Sequence, residues 1–385
     1  MKKIMTTTAG AALAALPHLA SATNGDQMLG VTATQWGMAG AYVAEPQDAG
    51  TALTNPGALA DLPMEEVRFD MGFGFLNPPR KVNGTDSDSD LYLIPSGAVA
   101  FRVDDRLTLG MGMAGLSGMG VDVELVPGNN PQVVTTKQFY KISPGFGYRV
   151  TDRLSVGAAF NLDYQSLAMA MFNPAMGLDR QLPQKQVYGY GATLGMTYKV
   201  SPKLRFGAVY ESQQHMDAFE WNASDGDYEM TMDAPPKLSV GAAFKPWEGL
   251  LIEADIKRIW FSEVLDEITL KTPTGSVPLE FGWDDQTVFA IGVQQEVNPK
   301  TTVRFGYNYG ESPIDSEDVT SNFGSLAVTE HHLSMGLTRQ IGKKVSGSVS
   351  YVHAFHNEVK EDTPMGEQSI ELEQNVVNFQ VSYKF

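Results

Sequence analysis

LSVGAAFNLDYQ, residues 154–165, puts Leu154, Val156, Ala158, Phe160, Leu162 and Tyr164 at every second position, with Ser155, Gly157, Ala159, Asn161, Asp163 and Gln165 between them. Sustained alternation marks a strand with one apolar face, because successive side chains of a strand point to opposite sides. The rhythm recurs upstream in Val67, Phe69, Met71, Phe73 and Phe75. Downstream it returns in Tyr188, Tyr190, Ala192, Leu194, Met196 and Tyr198, in Val303, Phe305, Tyr307 and Tyr309, and in Val377, Phe379, Val381, Tyr383 and Phe385. In a water-soluble sandwich the intervening positions would carry Lys, Glu and Thr. Here they are mostly Gly, Ala, Ser, Asn and Gln, which suits a crowded, hydrated interior and leaves the apolar face for lipid.

Short turns at Asp104-Asp105, Thr151-Asp152, Ser201-Pro202, Pro246 to Glu248, Asn298-Pro299 and Gly342 alternate with longer polar segments at 77–90, 126–136, 171–185, 217–234, 264–282, 312–327 and 359–369. Six turns and seven loops imply an all-β fold, a 14-stranded antiparallel transmembrane β-barrel with both ends of the wall on the short-turn side. Hairpin signals at Asp225-Gly226 and Thr274-Gly275 predict wall strands that extend past the membrane there. The loops are acidic and hold few basic residues (Arg80, Lys81, Arg180, Lys185, Lys271, Lys360), as expected of a solvated outer face. Aromatic girdles fall at Tyr140, Tyr188, Trp260 and Tyr309 on the loop side and at Phe101, Tyr148, Tyr198, Phe244, Tyr383 and Phe385 on the turn side. The terminal Phe385, closing an alternating run, resembles the C-terminal signal of proteins inserted into the bacterial outer membrane.

Composition agrees. Of 385 residues, 43% are apolar and 19% charged, too much hydrophobe and too little charge for disorder. No run approaches the roughly 18–20 apolar residues of a spanning helix, so a membrane role requires a barrel. The formal charge of -17 excludes a broad grip on nucleic-acid phosphates. The absence of cysteine removes disulfides, thiolate zinc sites and a Cys nucleophile. No Ser/His/Asp arrangement stands out, His331-His332 and His353 with His356 are thin grounds for a metal, and Gly189-x-Gly191 lies inside a strand instead of opening a helix. No enzymatic activity, cofactor or metal is expected.

Ahead of the wall, Lys2 and Lys3, the apolar stretch 4–16 and the small residues Ala20, Ser21 and Ala22 read as a secretory signal, residues 1–22, cleaved after Ala22. Residues 23–63 do not alternate. They are rich in Gly and Ala yet contain Trp36, Met38, Tyr42 and Leu53, which a solvated tail would not need. Because fourteen strands enclose a lumen too wide for side chains to fill, this segment is expected to plug the barrel formed by residues 64–385.

Gly37, Met38, Ala39, Gly40, Ala41 and Tyr42, then Asp48-Ala49, then Asn55, Pro56 and Gly57 resemble the hatch of the FadL/TodX family of outer-membrane transporters of long-chain fatty acids and aromatic hydrocarbons. The likeness covers the chain end to end. The family's hatch motif is Asn-Pro-Ala, and Gly57 departs from it. The resemblance implies passive uptake: capture among external loops, an apolar internal pocket, hatch movement, and lateral escape into the bilayer where the third strand kinks. Here that strand runs from Arg106 to Leu125. Its alternation, Leu107, Leu109, Met111, Met113, fails between Gly115 and Gly120, which places the opening near Gly115, Leu116, Ser117 and Gly118. The family's third loop is longer and helical over the entrance, whereas Met171 to Lys185 is short.

Methionines adapt to varied apolar ligands, and Met111, Met113, Met119, Met169, Met171 and Met176 cluster around the upper third strand and the third loop. Met113 and Met119 are taken as candidate ligand contacts. A ligand carboxylate needs inward cations, and strand phase points Lys141, Lys237, Lys257 and His332 inward; Glu211, Glu253 and Asp255 share that face and could pair with them. The expected partners are a hydrophobic small molecule (fatty acid, alkane or aromatic hydrocarbon) and outer-membrane lipid and lipopolysaccharide, with the protein a monomer. A general diffusion porin or structural barrel needs no hatch, and a barrel enzyme would need a catalytic arrangement on the wall.

Overall fold

The computed structural model describes residues 23–124, 132–173 and 178–385. The signal-like segment 1–22, part of the second loop and Met176 lie outside the described residues, as does the side chain of Met171. Among the described residues no helix is long and apolar enough to cross a membrane.

The wall consists of fourteen strands, each antiparallel to the next: β1 Val67–Asn77, β2 Tyr92–Arg102, β3 Leu107–Glu124, β4 Gln132–Arg149, β5 Leu154–Asn173, β6 Leu178–Ser201, β7 Leu204–Glu211, β8 Lys237–Phe244, β9 Leu250–Ile259, β10 Gln286–Asn298, β11 Thr301–Gly310, β12 His331–Gln340, β13 Val345–Thr363 and β14 Gly366–Lys384. Closure comes from Lys384 of β14 opposite Arg68 of β1, with the Phe385 amide donating to the Val67 carbonyl at 2.9 Å. Burial is inverted relative to a soluble protein. Phe160 and Leu162 on β5 are exposed, while Ser155, Asn161, Asp163 and Gln165 between them are buried. Phe69, Met71, Phe73 and Phe75 are likewise exposed on β1, forming the apolar outer band of a membrane barrel.

Two loop expectations are corrected. The hairpin signals at Asp225-Gly226 and Thr274-Gly275 do form hairpins (Phe219–Ala223 with Gly226–Met230, and Glu267–Thr272 with Gly275–Glu280), but these pair with each other into a separate four-stranded sheet and do not lengthen the wall. Their apolar faces explain it: Phe219, Trp221, Met230, Ile268 and Leu270 are buried in one cluster with Phe261 and Trp283 over the barrel mouth. Conversely, much of 171–185 and 359–369 is strand, paired out to Asn173 opposite Leu178 and Thr363 opposite Gly366. Beyond the bilayer neither face need be apolar, so these extensions carry no alternation to read.

Residues 23–64 lie inside the wall and are almost wholly buried. Glycines on the inner face make room for them. A Cβ at Gly292 or Gly306 would strike Met38, and one at Gly110 or Gly112 would strike Leu59 or Leu53. The small-residue phase of the strands therefore reflects close packing of a plug as well as hydration. The segment winds through short helical turns, Ala33–Trp36, Thr51–Thr54 and Pro56–Asp61, the first capped by Thr32, whose hydroxyl accepts from the Gln35 amide.

Candidate ligand path

The plug is held chiefly by side chains of the wall reaching its backbone. Asp255 accepts from the Tyr42 and Val43 amides at 2.7 and 3.0 Å, and Glu253 from those of Ala44 and Glu45 at 2.6 and 3.0 Å. These carboxylates, expected to pair with lumen lysines, instead serve backbone donors that the tight turn leaves without carbonyl partners. The Ala49 amide donates to Asp70, which is itself paired with Arg68 at 2.8 Å. At the turn side Asp61 meets Arg149 at 3.0 Å, Lys199, and Arg205 at 3.8 Å.

All five hatch-motif residues pack against another backbone. The Asn55 amide donates to the Val43 carbonyl at 2.7 Å and to the Met196 carbonyl at 3.3 Å, and its own oxygen accepts from the Gly57 amide. Pro56 lies against Gly147 and Gly157, and Gly37 against Gly336. Gly40 has φ +83°, where any side chain is strained, and a Cβ there would also meet the Leu29 carbonyl. A Cβ at Gly57 would lie 2.5–2.6 Å from the backbone of Gly195 and Met196. The glycine in place of alanine thus coincides with an unusually close approach of plug to wall.

β3 carries the irregularity its glycines predicted. Its pairing with β2 ends at Ala114 opposite Ser96; above this, among the wall strands, β2 pairs only with β1 and β3 only with β4. Pro95, which has no amide proton to offer β3, stands next above Ser96. Opposite β4 the register shifts between Gly115 and Ser117, leaving Leu116 as the extra residue of a bulge. The freed edge of β3 is met by the hairpin Thr23–Met28, through Gln27 opposite Ser117 and a bond from the Gly118 amide to the Asp26 carbonyl at 3.3 Å.

Two cavities flank this hairpin. One, about 70 Å³, occupies the breach between β2 and β3 and is lined by Met28, Leu76, Tyr92, Ile94, Gly115, Ser117, Gly118, Met119, Phe139 and Tyr140 together with Asp26, Arg80 and Lys137. The other, about 50 Å³, lies in the lumen and is lined by Gln27, Met28, Val31, Tyr42, Leu53, Leu116, Val209, Glu211, Lys237 and Lys257.

The residues singled out from sequence separate into groups. Lys237 and Lys257 line the lumen cavity with Leu116, and Met119, Gly115, Ser117 and Gly118 line the wall cavity. Lys141 is fully buried and shares Glu211 with Lys237, at 2.7 and 2.9 Å. Lys257 stands over the Tyr42 ring, 5.5 Å from its centroid, with no carboxylate within 4 Å among the described residues. His332 is inward as expected, but its Nε2 lies 3.0 Å from the Thr23 carbonyl, so it serves the plug. Met113 is 45% exposed on the outer face with Met111 and lines neither cavity; the alternation that carries it points it toward lipid.

Sequence reasoning missed Asp26, Lys137 and Arg80. The phase that turns Lys141 inward also turns Lys137 inward, and Asp26 follows the turn signal Asn24-Gly25; neither could be paired with the other without the fold. Burial by itself would raise the Asp26 carboxyl, but the Lys137 charge and hydrogen bonds from Lys137, Ser117 and Gln27 outweigh it and hold the group below its ordinary value.

The family described as outer membrane protein transport protein (OMPP1/FadL/TodX) matches residues 13–385. Among solved structures, the toluene transporter TodX of P. putida is 19% identical, covering 92% of this chain and 99% of its own, with a TM-score of 0.77. A FadL homologue of Pseudomonas aeruginosa is 15% identical, covering 94% and 100%, with a TM-score of 0.77. The toluene transporter TbuX of Ralstonia pickettii is 20% identical, covering 92% and 98%, with a TM-score of 0.74. At these identities the likeness is one of fold. No curated protein matches the chain by sequence.

Proposed function

Because the chain belongs to the OMPP1/FadL/TodX family of Gram-negative outer-membrane transport channels for hydrophobic compounds, we propose that it takes up hydrophobic small molecules passively and delivers them sideways into the bilayer through the breach between β2 and β3. The observation that carries this reading is the wall cavity itself. It sits where two neighbouring strands part, its lining is mainly apolar, and it adjoins a lumen cavity that offers apolar contacts with two lysines. A lipophile gains nothing from a water-filled pore, whereas an apolar passage opening at membrane depth lets it leave without re-entering water. Hatch movement joins the two cavities, since at their present size neither admits a long alkyl chain. A general diffusion pore fits poorly with a lumen filled by residues 23–64. Fatty acids, alkanes and aromatic hydrocarbons all satisfy the lining.

The test is extraction in mild detergent followed by mass spectrometry of co-purified lipophiles, with liposome swelling in glucose as the counter-assay. Bound lipophile and no swelling are expected. Free glucose permeation with no bound lipophile would replace this reading by a porin.

A further inference from the structure

Along β12 the outward phase runs Leu333, Met335, Leu337 and then Arg339, so an exposed arginine ends an otherwise apolar lipid-facing column, with Ile341 beyond it in the turn, 72% exposed. At the loop-side end of the apolar band Arg258 on β9 holds the same phase, and there Asp285 matches it at 2.9 Å. Arg339 has no carboxylate within 4 Å among the described residues and donates instead to the hydroxyl of Thr301, its partner across the ladder. On its other side the ladder places Gly347 of β13, and beyond that Val381 of β14. A Cβ at Gly347 would meet nothing closer than the Ile341 side chain at 3.5 Å, so the glycine leaves a notch in the lipid-facing surface between Arg339 and Val381.

Four more cations gather at this foot of the wall, all exposed. The Lys300 carbonyl accepts from the Gln340 amide at 2.9 Å, and the Lys344 carbonyl from the Lys384 amide at 2.9 Å; Lys343 precedes Lys344 in the turn. The Lys344 ammonium stands 5.4 Å from the centre of the Phe385 ring. Glu66 and Glu296 border the same rim, yet none of the five cations forms an ion pair among the described residues. The patch therefore lies at the turn-side aromatic girdle, the level of the inner-leaflet head groups, with its positive charge uncompensated. A guanidinium matches a phosphate in geometry, and lysines beside it favour an anionic head group over one that carries an ammonium.

From this placement we propose that the foot of β11 to β14 binds an anionic phospholipid of the inner leaflet: Arg339 takes the phosphate, Lys300 and Lys343 add positive charge around it, and the notch over Gly347 receives the upper acyl chain beside Ile341 and Val381. A zwitterionic lipid brings the same phosphate, but its ammonium would enter a cluster of five cations.

Native mass spectrometry of the full chain, released from mild detergent holding an equimolar mixture of phosphatidylglycerol and phosphatidylethanolamine with identical acyl chains, tests the site. Phosphatidylglycerol should be retained roughly tenfold over phosphatidylethanolamine, and the preference should fall to about twofold or less when Arg339→Gln and Lys343→Gln are combined. Arg258→Gln should leave it unchanged. Gly347→Val fills the notch without altering the charge and should lower retention about fivefold, which a diffuse attraction of the rim for anions would not produce. Heat-modifiable gel migration verifies that each variant is a folded barrel. Equal retention of the two lipids, an undiminished preference in the double variant, or full retention in Gly347→Val overturns the proposal. Displacement of bound phosphatidylglycerol by excess inorganic phosphate would make the patch a site for free anions, and displacement by lipopolysaccharide would assign it to the outer leaflet; either result overturns it too.

Discussion

Gly57 and Gly195 are two glycines whose backbones meet, and neither position has room for a methyl group: the missing Cβ at Gly57 would lie 2.5 Å from a Gly195 backbone atom. Gly57→Val should therefore push the plug off β6, at a cost of roughly 1–3 kcal/mol of the kind seen for overpacked cores, read as a lowered Tm and as glucose leakage through the lumen. Asp61 makes a second prediction at this scale. Burial raises its carboxyl, but the Lys199 hydrogen bond, the Arg205 and Lys199 charges and the Arg149 hydrogen bond prevail and set it below its ordinary value. Ser155 and Thr197 also face it. A carboxyl held low in the folded state contributes its stability above its unfolded pKa of about 3.9 and loses it as pH falls through the lower folded value. The Asp61 contribution to plug retention should thus be constant from pH 5 to 8 and be lost in acid below about 4, and Asp61→Asn should leak at neutral pH. Constant glucose exclusion down to pH 2 would contradict this. Inward phase made Glu253 and Asp255 visible in the sequence, but their partners, four plug amides, belong to a segment with no period to follow.

β3 unites a signal that could be read in the sequence with one that could not. Five glycines and a lapse in alternation located the irregularity, while the bulge at Leu116 and the loss of pairing above Ala114 came from its neighbours, including Pro95 on β2. Deleting Leu116 should restore the register with β4, straighten the strand and let it zip further along β2. The expected outcome is a folded, heat-modifiable barrel that binds lipophile but delivers at least tenfold less of it to the bilayer, measured by uptake of a labelled ligand into proteoliposomes. Undiminished delivery would move the exit elsewhere. The external sheet teaches the complementary lesson: its hairpins were plain from Asp-Gly and Thr-Gly, but their edge-to-edge union depends on apolar faces that only the barrel mouth could cover.

For the molecule as a whole, the lumen and the plug are one packed unit. The wall alone encloses buried carboxylates, amides and lysines whose partners are plug atoms, and Asp255, Glu253 and Asp70 would face the lumen without their plug donors if the leader left. Removing residues 23–63 should therefore convert the protein into a pore, with glucose swelling rates rising from background to those of an open porin, while exterior aromatics and strand ladders keep the barrel assembled. A plugless chain that still excludes glucose would show that the external cluster around Trp221 and Trp283 is the true seal.

Period-two patterning, spaced turns and an acidic loop rim were sufficient to establish a lipid-facing barrel and its strand number, because those properties are written in which side chain follows which along one strand. The breach between β2 and β3, the seating of Asp26 on Lys137 and the division of the interior into two cavities became definite only on closure of the wall. They join residues far apart in the chain, and no local period records which distant charge will be buried beside which.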